Sequence, residues 1–468
     1  LNLSKMIVES SKEKYILDYD KLRFNIFTQH ISLSNFRIYP VDTNRYLDQV
    51  QVSTPPFYAV NVERVDLQLE KEWEVFLNKK LLIKELKITS PKVKINQLRT
   101  DTQKIKFAKI SGDIYQLVTQ YLSLLKLKTF SVKNAIIDYS IEQGFKVQHF
   151  NFDPISFKLT NFRVKEGAQE SSNIFFTDDF ELNSGKQEFT LPDSSHVVSF
   201  DRFKITTVKN QIEFYNLRVT SILPDTTTRN HLTLFVPTLK LKSVDFERAY
   251  LKNEYLVKNL KIERPAIKFV VNKPQSKHTP EQIDELEKWL ELIEVNSTII
   301  SQGNVSVNDN RGQHKKTYLV NGFSLKIAGA HVDTNILDRI VLEDLQKNYR
   351  FSIRELKHQI PEEELLIKVN DIAYSSITQL FKCNEIAISP NELKLKKKMA
   401  NTNQLYHLEN LQLAGVAISD LDLNKLSEGR KTVLGRVVLK SPVLALSYDT
   451  SDKIKPDSLV VKNTNLPY

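Results

Sequence analysis

An internal repeat of a proline-broken strand pattern constrains the fold of this chain more than any other feature. The segment 81–95 (LLIKELKITSPKVKI) aligns without a gap with the segment 255–269 (YLVKNLKIERPAIKF), and seven of the fifteen positions are identical. A weaker third copy covers residues 432–446, where Ser441-Pro442 repeats Ser90-Pro91. Repeated units stack on one another to bury a shared core. The sequence therefore predicts one repetitive array, not the roughly three independent domains that its length suggests.

Other landmarks recur at nearly the same spacing, so the repeating unit is long. Apolar residues at helical spacing predict helices over residues 112–126 and 281–294, and a glycine hairpin follows each of them, at Gly144 and Gly312. An Asn-apolar-Arg-apolar strand precedes the first two proline segments. We predict a lead-in at 1–29 that follows a membrane anchor absent from this sequence, then β repeats at 30–204 and 205–373 and a partial repeat at 374–468.

Most remaining segments alternate apolar with polar or charged residues over short stretches, which is typical of strands. Two helices and many strands predict a mainly β protein with a few short helices. The strands must cover their apolar faces with another layer or with a ligand. We expect an elongated, repetitive and twisted antiparallel sheet that forms a groove. Tandem β-sandwich repeats are the alternative, because two sheets could cover each other.

The residues that carry chemistry in other proteins form no catalytic pattern here. Glycine contributes only 11 of 468 residues, which leaves little for phosphate-binding loops. The nine histidines include no pair three or four residues apart, and the HExxH, GxSxG and Walker motifs are absent. Cys383 is the single cysteine, and its alternating position predicts a packed thiol. We therefore expect a protein that is not an enzyme and needs no cofactor or metal.

The net charge of +10 is spread along the chain and does not form one basic block. Nucleic-acid binding would need a contiguous basic face, so we expect no nucleic-acid partner. No apolar run approaches the roughly 18 residues of a membrane-spanning helix, and no signal peptide is visible.

The apolar positions of the repeated strands are the candidate binding residues. They recur at equivalent places in each copy, where they form either a packed core or the lining of an open groove. The candidate lining residues are Phe36, Ile38, Leu86, Ile88, Val93, Ile95, Phe162, Val164, Leu217, Val219, Leu260, Ile262, Ile267, Phe269, Val437, Leu439, Leu444 and Leu446.

The strand patterns at 15–22 and 31–36, the Ser-Pro strand at 82–95 and the helix-strand unit at 114–139 resemble the AsmA-like family of Gram-negative envelope proteins, which is related to TamB and YhdP. The resemblance extends through Tyr448 because the repeat carries the pattern. It implies a periplasmic region anchored in the inner membrane, whose apolar β-groove conducts phospholipid between inner and outer membranes without catalysis. The partners it implies are phospholipid or another envelope lipid, and both membranes.

A second hypothesis treats the chain as a periplasmic scaffold or assembly factor for envelope proteins. It predicts a dry interior and a protein partner on an exposed edge strand. The lipid hypothesis instead predicts an open apolar face.

Overall fold

In the residues that the computed structural model describes, 23 strands belong to a single mixed sheet and helices are few and short. This confirms the predicted mainly β class with a few short helices. The structure describes residues 14–41, 57–70, 78–98, 115, 118–120, 122–143, 146–165, 176–190, 196–222, 231–252, 254–272, 292–311, 315–333, 348–360, 365–390, 406–423, 425 and 434–448.

Contacts divide the chain into two compact units. The first comprises residues 1–304 and 324–349, and the second comprises residues 305–323 and 350–468.

The strands from the amino terminus to residue 206 are β1 (Tyr15–Asp18), β2 (Lys21–Asn25), β3 (His30–Pro40), β4 (Phe57–Leu69), β5 (Lys80–Leu98), β6 (Leu124–Gln143), β7 (Lys146–Lys165), β8 (Asp179–Ser184), β9 (Gln187–Thr190), β10 (His196–Phe200) and β11 (Arg202–Thr206). Those that follow are β12 (Gln211–Ser221), β13 (His231–Val244), β14 (Glu254–Glu263), β15 (Ala266–Val271), β16 (Leu292–Asp309), β17 (Lys316–Asp333), β18 (Tyr349–Ile360), β19 (Leu365–Ser375), β20 (Leu380–Cys383), β21 (Glu385–Pro390), β22 (Tyr406–Ile418) and β23 (Val437–Tyr448).

Most of the described strand pairs are antiparallel, as predicted, but the sheet is mixed, because β5 pairs with β6 in parallel and β14 pairs with β16 in parallel. Parallel neighbours need a crossover connection of a dozen or more residues, often helical. Most of each predicted helix, at 112–126 and 281–294, falls within one of these two crossovers. The parallel pairs therefore occupy equivalent places in the first two repeats, each beside a proline-broken strand.

Both predicted helices end too late. Tyr115 and residues 118–120 are helical, but β6 begins at Leu124, inside the predicted helix 112–126. In the same way β16 begins at Leu292, and residues 281–291 lie outside the described residues. Apolar strand residues that follow a helix directly can extend its apparent periodicity, which explains the error.

A short helix that the sequence analysis did not predict, α1 (Phe246–Lys252), connects β13 to β14. Asp245 caps it, because its Oδ1 accepts a hydrogen bond from the Arg248 backbone N–H at 3.0 Å. This is the usual role of an aspartate at a helix N-cap. Seven residues are too few to establish a helical period in the sequence.

The predicted hairpin at Gly144 is confirmed as a strand pair, and the one predicted at Gly312 falls between β16 and β17. Gln143 of β6 pairs with Lys146 of β7, which leaves a two-residue connection. Gly144 and Gly312 themselves lie outside the described residues. The predicted repeat boundaries at 204/205 and 373/374 fall inside β11 and β19.

Several strands contain one residue whose φ is positive, in a conformation that L-residues rarely adopt. We call these the kink residues. In the three proline-broken strands the residue before proline is such a residue, with φ of 49° at Ser90, 49° at Arg264 and 45° at Ser441. The three sequence copies thus share one unusual backbone conformation. The other kink residues of the strands include Asn35, Asn134, Asn161, Asn216, Ser243, Gln302 and Asp371.

The apolar side chains of a strand switch between odd-numbered and even-numbered positions at its kink residue, which we call a parity change. Ile31 and Leu33 precede Asn35, whereas Phe36 and Ile38 follow it. In a regular strand these two sets would face opposite sides of the sheet. The kink compensates for the change. Leu241 and Val244, for example, flank Ser243 and nevertheless pack in one cluster.

Two small apolar clusters lie where helical segments meet the sheet. Val164 and Phe176 are buried with Tyr115 and Val118 against them. In the second cluster, Val257 is buried with Phe246 of α1 against it. These clusters anchor the connections between strands.

Candidate functional site

An apolar row crosses eleven paired strands of the first unit. Residues paired directly across a ladder project from the same face, so the row lies on one face of the sheet. With strands about 4.8 Å apart, the row extends about 50 Å from strand to strand. Its members, in order of pairing, are Leu22, Leu33, Val65, Ile88, Val132, Phe157, Leu182, Ile205, Ile212, Leu241 and Leu260.

A second apolar row lies on the other side of the kink residues in the first repeat. It contains two predicted lining residues, Ile38 and Val93. The members, in order of pairing, are Leu17, Ile38, Val60, Val93, Ile137 and Phe152. The apolar surface therefore continues across the kinks and is several residues wide.

The second unit has rows of the same kind, and two of them end on β23. One contains Phe351, Tyr374, Phe381, Ile418 and Val437. The other contains Ile367, Ile388, Leu411 and Leu444. β23 thus carries the last member of each row within the described residues.

A charged row runs next to the first apolar row, on the opposite face of the same strands. Lys204, Glu213, Lys240 and Lys261 pair across β11 to β14. The Lys240 Nζ lies 3.1 Å from the Glu213 Oε1. Neighbouring residues in these strands alternate between the two faces, so one face is apolar and the other is solvated and charged.

This ion pair shifts the pKa values of both partners. Burial raises the pKa of the Glu213 carboxyl, but hydrogen bonds from Lys240 and Tyr215 outweigh it, so the net pKa lies below its ordinary value. The hydrogen bond to Glu213 raises the pKa of Lys240. Both groups are therefore charged near neutral pH, which suits a water-facing surface.

Each predicted lining residue pairs with an apolar residue on a neighbouring strand. The lining residues of the first two repeats all lie in the first unit. In β5, β14 and β15 these side chains are half-buried, while on β23 Val437, Leu439, Leu444 and Leu446 are 49 to 60% exposed. Val164 differs, because its side chain is 0% exposed within the cluster around Phe176. Val164 is therefore a packed core residue, which is the alternative that the sequence left open for these apolar positions.

Sequence reasoning missed several residues of the apolar rows. Leu33, Val65, Val132, Phe157 and Ile212 belong to the longest row but were not among the candidates. The switch from odd to even apolar positions around each kink residue could have identified them. This switch can be recognised only when the strands are aligned by their pairing register.

Cys383 is buried and 3% exposed, which agrees with the predicted packed thiol. Burial raises its pKa, so the thiol form is favoured. Within the described ranges, no group of three or more His, Cys, Asp or Glu side chains is arranged to hold a metal ion. A search of the same ranges finds no helix with the length and apolar character needed to cross a membrane.

Comparison of the sequence with protein-family models gives no match, and comparison with curated proteins gives none either. The resemblance to the AsmA-like family therefore stays a prediction.

Proposed function

We propose that this chain is a non-enzymatic lipid carrier whose apolar sheet face shields the acyl chains of phospholipid as it passes between the inner and outer membranes of a cell envelope. The observation that carries the proposal is the row from Leu22 to Leu260, unbroken over eleven strands, with Lys204, Glu213 and Lys240 on the opposite face. Leu22 of this row is 41% exposed, whereas Leu33 and Val132 are buried. Ile212, Leu241 and Leu260 pack against the cluster around Val257. A continuous apolar row suits a ligand that is long, apolar and without a fixed end.

The energetics favour such a surface. Two acyl chains of about 16 carbons cost roughly 25 kcal/mol to expose to water, at about 0.8 kcal/mol for each CH₂. A continuous apolar strip removes most of that barrier, because the chains stay in contact with hydrocarbon along its length. Binding needs no bond making or breaking, so the proposal requires no catalytic group.

The proposal places the protein in the periplasm, with the charged face toward water and the lipid headgroup projecting from the open side. The charged row of β11 to β14 would keep this face hydrated while the opposite face holds acyl chains. We propose phospholipid, or a similar two-chain envelope lipid, as the ligand.

Site-specific photo-crosslinking tests the proposal. Val93 and Lys94 are neighbours on β5, and Val93 lies in an apolar row while Lys94 is exposed. A benzophenone amino acid at position 93 should form adducts with co-purified phospholipid that mass spectrometry detects, whereas the same probe at position 94 should not. Equal labelling at both positions, or gently purified protein without bound lipid, would overturn the proposal.

The scaffold hypothesis is the second candidate, and the exposure of β23 is the observation that favours it. An exposed apolar edge strand is a ready template for another polypeptide. Lipid adducts at position 93 would favour the carrier, whereas a protein adduct at the same position would favour the scaffold.

A further inference from the structure

Three hairpin turns in the described residues share one backbone structure. Each has four residues, and they connect β2 to β3 at 26–29, β11 to β12 at 207–210 and β19 to β20 at 376–379. The last residue of each turn has a positive φ, which is 53° at Gln29, 47° at Asn210 and 48° at Gln379. The carbonyl of this residue accepts a backbone hydrogen bond at 2.9 to 3.1 Å in all three turns. The turns are therefore equivalent positions of the repeat.

The first of these turns is the most apolar and the most exposed. Its second residue, Phe27, is 95% exposed, whereas the equivalent Val208 and Ile377 are 66 and 56% exposed. Its first residue, Ile26, is 61% exposed and takes a position where the other two turns have threonine and serine. Because the three turns share their backbone, the apolar tip is a property of the side chains of the first copy.

The strand that leads into this turn connects the tip to the apolar face of the sheet. Leu22 starts the row of eleven strands described above, and Phe24, which is 55% exposed, starts another. Residues paired across a ladder project from the same face. The row from Phe24 crosses seven strands, and its members are Phe24, Ile31, Leu67, Leu86, Phe130, Leu159 and Phe180. The exposed tip is thus continuous with the surface proposed to hold acyl chains.

The same hairpin is positively charged. Lys21 and Arg23 are exposed and alternate with the apolar residues of β2, so they lie on its other face. The segment 21–30 contains neither aspartate nor glutamate. The two aspartates just before it pair with Arg37, at 2.8 and 3.0 Å. The charge of this hairpin therefore complements an anionic surface.

The backbone of the tip is prepared for surroundings that are poor in water. Polar backbone groups that enter a bilayer must be satisfied within the protein. The Asn25 Oδ1 accepts hydrogen bonds from the backbone N–H groups of Phe27 at 3.0 Å and Thr28 at 3.1 Å. Two donors at the tip are therefore satisfied by the hairpin itself.

We propose that the hairpin 21–30 docks the protein onto the surface of an anionic phospholipid bilayer. Ile26 and Phe27 enter the interfacial layer, and Lys21 and Arg23 lie beside the headgroups. An apolar tip next to cations is attracted to anionic headgroups and is stabilised by burial of its apolar side chains. This inference rests on the proposed function and deepens it, because it names the site where the carrier meets a membrane.

A fluorophore at the tip tests the docking. The full chain with Cys383→Ala and Phe27→Cys carries NBD, whose emission shifts to shorter wavelength in apolar surroundings. We expect the emission of a water-exposed probe in buffer and a shift on addition of vesicles of phosphatidylcholine and phosphatidylglycerol. The same probe at Val208→Cys is the matched control and should shift little. A probe at position 27 that is already shifted in buffer would overturn the proposal, since the protein itself or a second copy would cover the tip.

Vesicle flotation of unlabelled variants measures the contribution of the apolar residues. Ile26→Ser together with Phe27→Ser should weaken binding to these vesicles by at least tenfold, because two apolar side chains are no longer buried. Val208→Ser, at the equivalent turn, should change binding by less than about twofold. Circular dichroism checks that each variant retains its fold. Equal losses in the two variants, or no loss in either, would overturn the proposal.

The cations are tested in the same assay. Lys21→Gln together with Arg23→Gln should weaken binding to the anionic vesicles by about tenfold or more and leave binding to pure phosphatidylcholine vesicles unchanged. Lys209→Gln, in the second turn, is the control and should have little effect. Equal weakening on both kinds of vesicle would contradict a role of these cations beside anionic headgroups.

Lipid adducts at position 93 separate this inference from the proposed function. The chain with benzophenone at position 93 is loaded with detergent-solubilised phospholipid, so that loading does not depend on vesicle docking. Adducts at position 93 in a chain that does not bind vesicles would overturn only the docking site. Vesicle binding through the hairpin without any adduct at position 93 would overturn only the lipid carrier.

Discussion

Asn216 of β12 donates a hydrogen bond from its Nδ2 to Asp201 Oδ2 across 2.8 Å. Asn216 is a kink residue with a φ of 52°, and Asp201 lies between β10 and β11. The Asp201 backbone N–H donates to the Tyr215 carbonyl at 3.0 Å. Asp201 therefore stabilises the kink through two hydrogen bonds, one that its backbone N–H donates to Tyr215 and one that its side chain accepts from the neighbouring Asn216.

The same arrangement occurs at three further places. Asn35 donates to Asp20 at 2.6 Å and Asn161 donates to Asp178 at 2.9 Å. In the second unit the roles are exchanged, because Asp371 is the kink residue and accepts from Asn384 at 3.2 Å. Asparagine and aspartate tolerate positive φ better than other residues with a Cβ, which explains their use at these positions.

Asn216→Val should destabilise the protein by about 2 kcal/mol, because a β-branched residue at positive φ is strained and the bond to Asp201 is lost. Asn216→Gly should cost less, since glycine adopts positive φ without strain. Chemical denaturation followed by tryptophan fluorescence or circular dichroism measures both.

The control for this prediction is Asn151→Val. Asn151 is exposed in β7 and is not a kink residue, so valine should be neutral or slightly stabilising there. A loss at Asn151 equal to that at Asn216 would contradict a special role for the kink.

The hydrogen bond from Asn216, followed by that from Arg218, holds the pKa of the Asp201 carboxyl below its ordinary value. A carboxyl with a depressed folded-state pKa adds stability above its unfolded-state pKa of about 4, and that stability is lost as pH falls through the folded pKa. Both side chains of the Asp201–Arg218 pair are about two-fifths exposed, so the effect on stability is small.

Carboxyl NMR titration measures this directly. Asn216→Gly and Arg218→Gln should each raise the pKa of Asp201 toward its ordinary value, because Asn216 donates the hydrogen bond that lowers it most and Arg218 lowers it through a hydrogen bond and its charge. An Asp201 titration that neither variant moves would contradict the assignment.

Much of the fold could be predicted from the sequence, because three copies of one pattern support the same structural prediction. Ser90-Pro91, Arg264-Pro265 and Ser441-Pro442 predicted a shared break, and the backbone is kinked at each. The apolar alternation predicted strands, and strands dominate the structure.

Strand direction and register could not be predicted, because they depend on pairing partners far apart in the chain. The alternating pattern of β6 does not indicate whether β6 runs parallel or antiparallel to its neighbour. The direction depends on the connection between β5 and β6, because only a long crossover allows parallel pairing. Nor did alternation show that Leu33, Val65 and Ile88 share one row, since that follows from register alone. Burial of Val164 depends on Phe176 and Tyr115, which approach it from other segments.

Val164→Ala should reduce the free energy of unfolding by about 1 to 3 kcal/mol, because it leaves a cavity beside Phe176. It should leave the yield of lipid adducts at position 93 unchanged, since a packed side chain does not contact the ligand. Leu444→Ala is the comparison, because Leu444 is 60% exposed and its truncation should change stability by about 0.5 kcal/mol or less. Reduced lipid adducts in Val164→Ala at unchanged stability would instead return Val164 to the lining.

Exchanging Asn216 and Asp201 tests whether the bond between them, and not either residue alone, holds the kink. Asn216→Asp places two carboxylates opposite each other, and Asp201→Asn removes the anion beside Arg218, so each single variant should lose about 1 kcal/mol. The double exchange restores an amide opposite a carboxylate, in the arrangement that Asp371 and Asn384 already have in the second unit. We therefore expect a favourable coupling energy of about 1 kcal/mol in the double-mutant cycle, measured by denaturation. Strictly additive losses would mean that the two residues act independently, and the four repeated pairs would then need a different explanation.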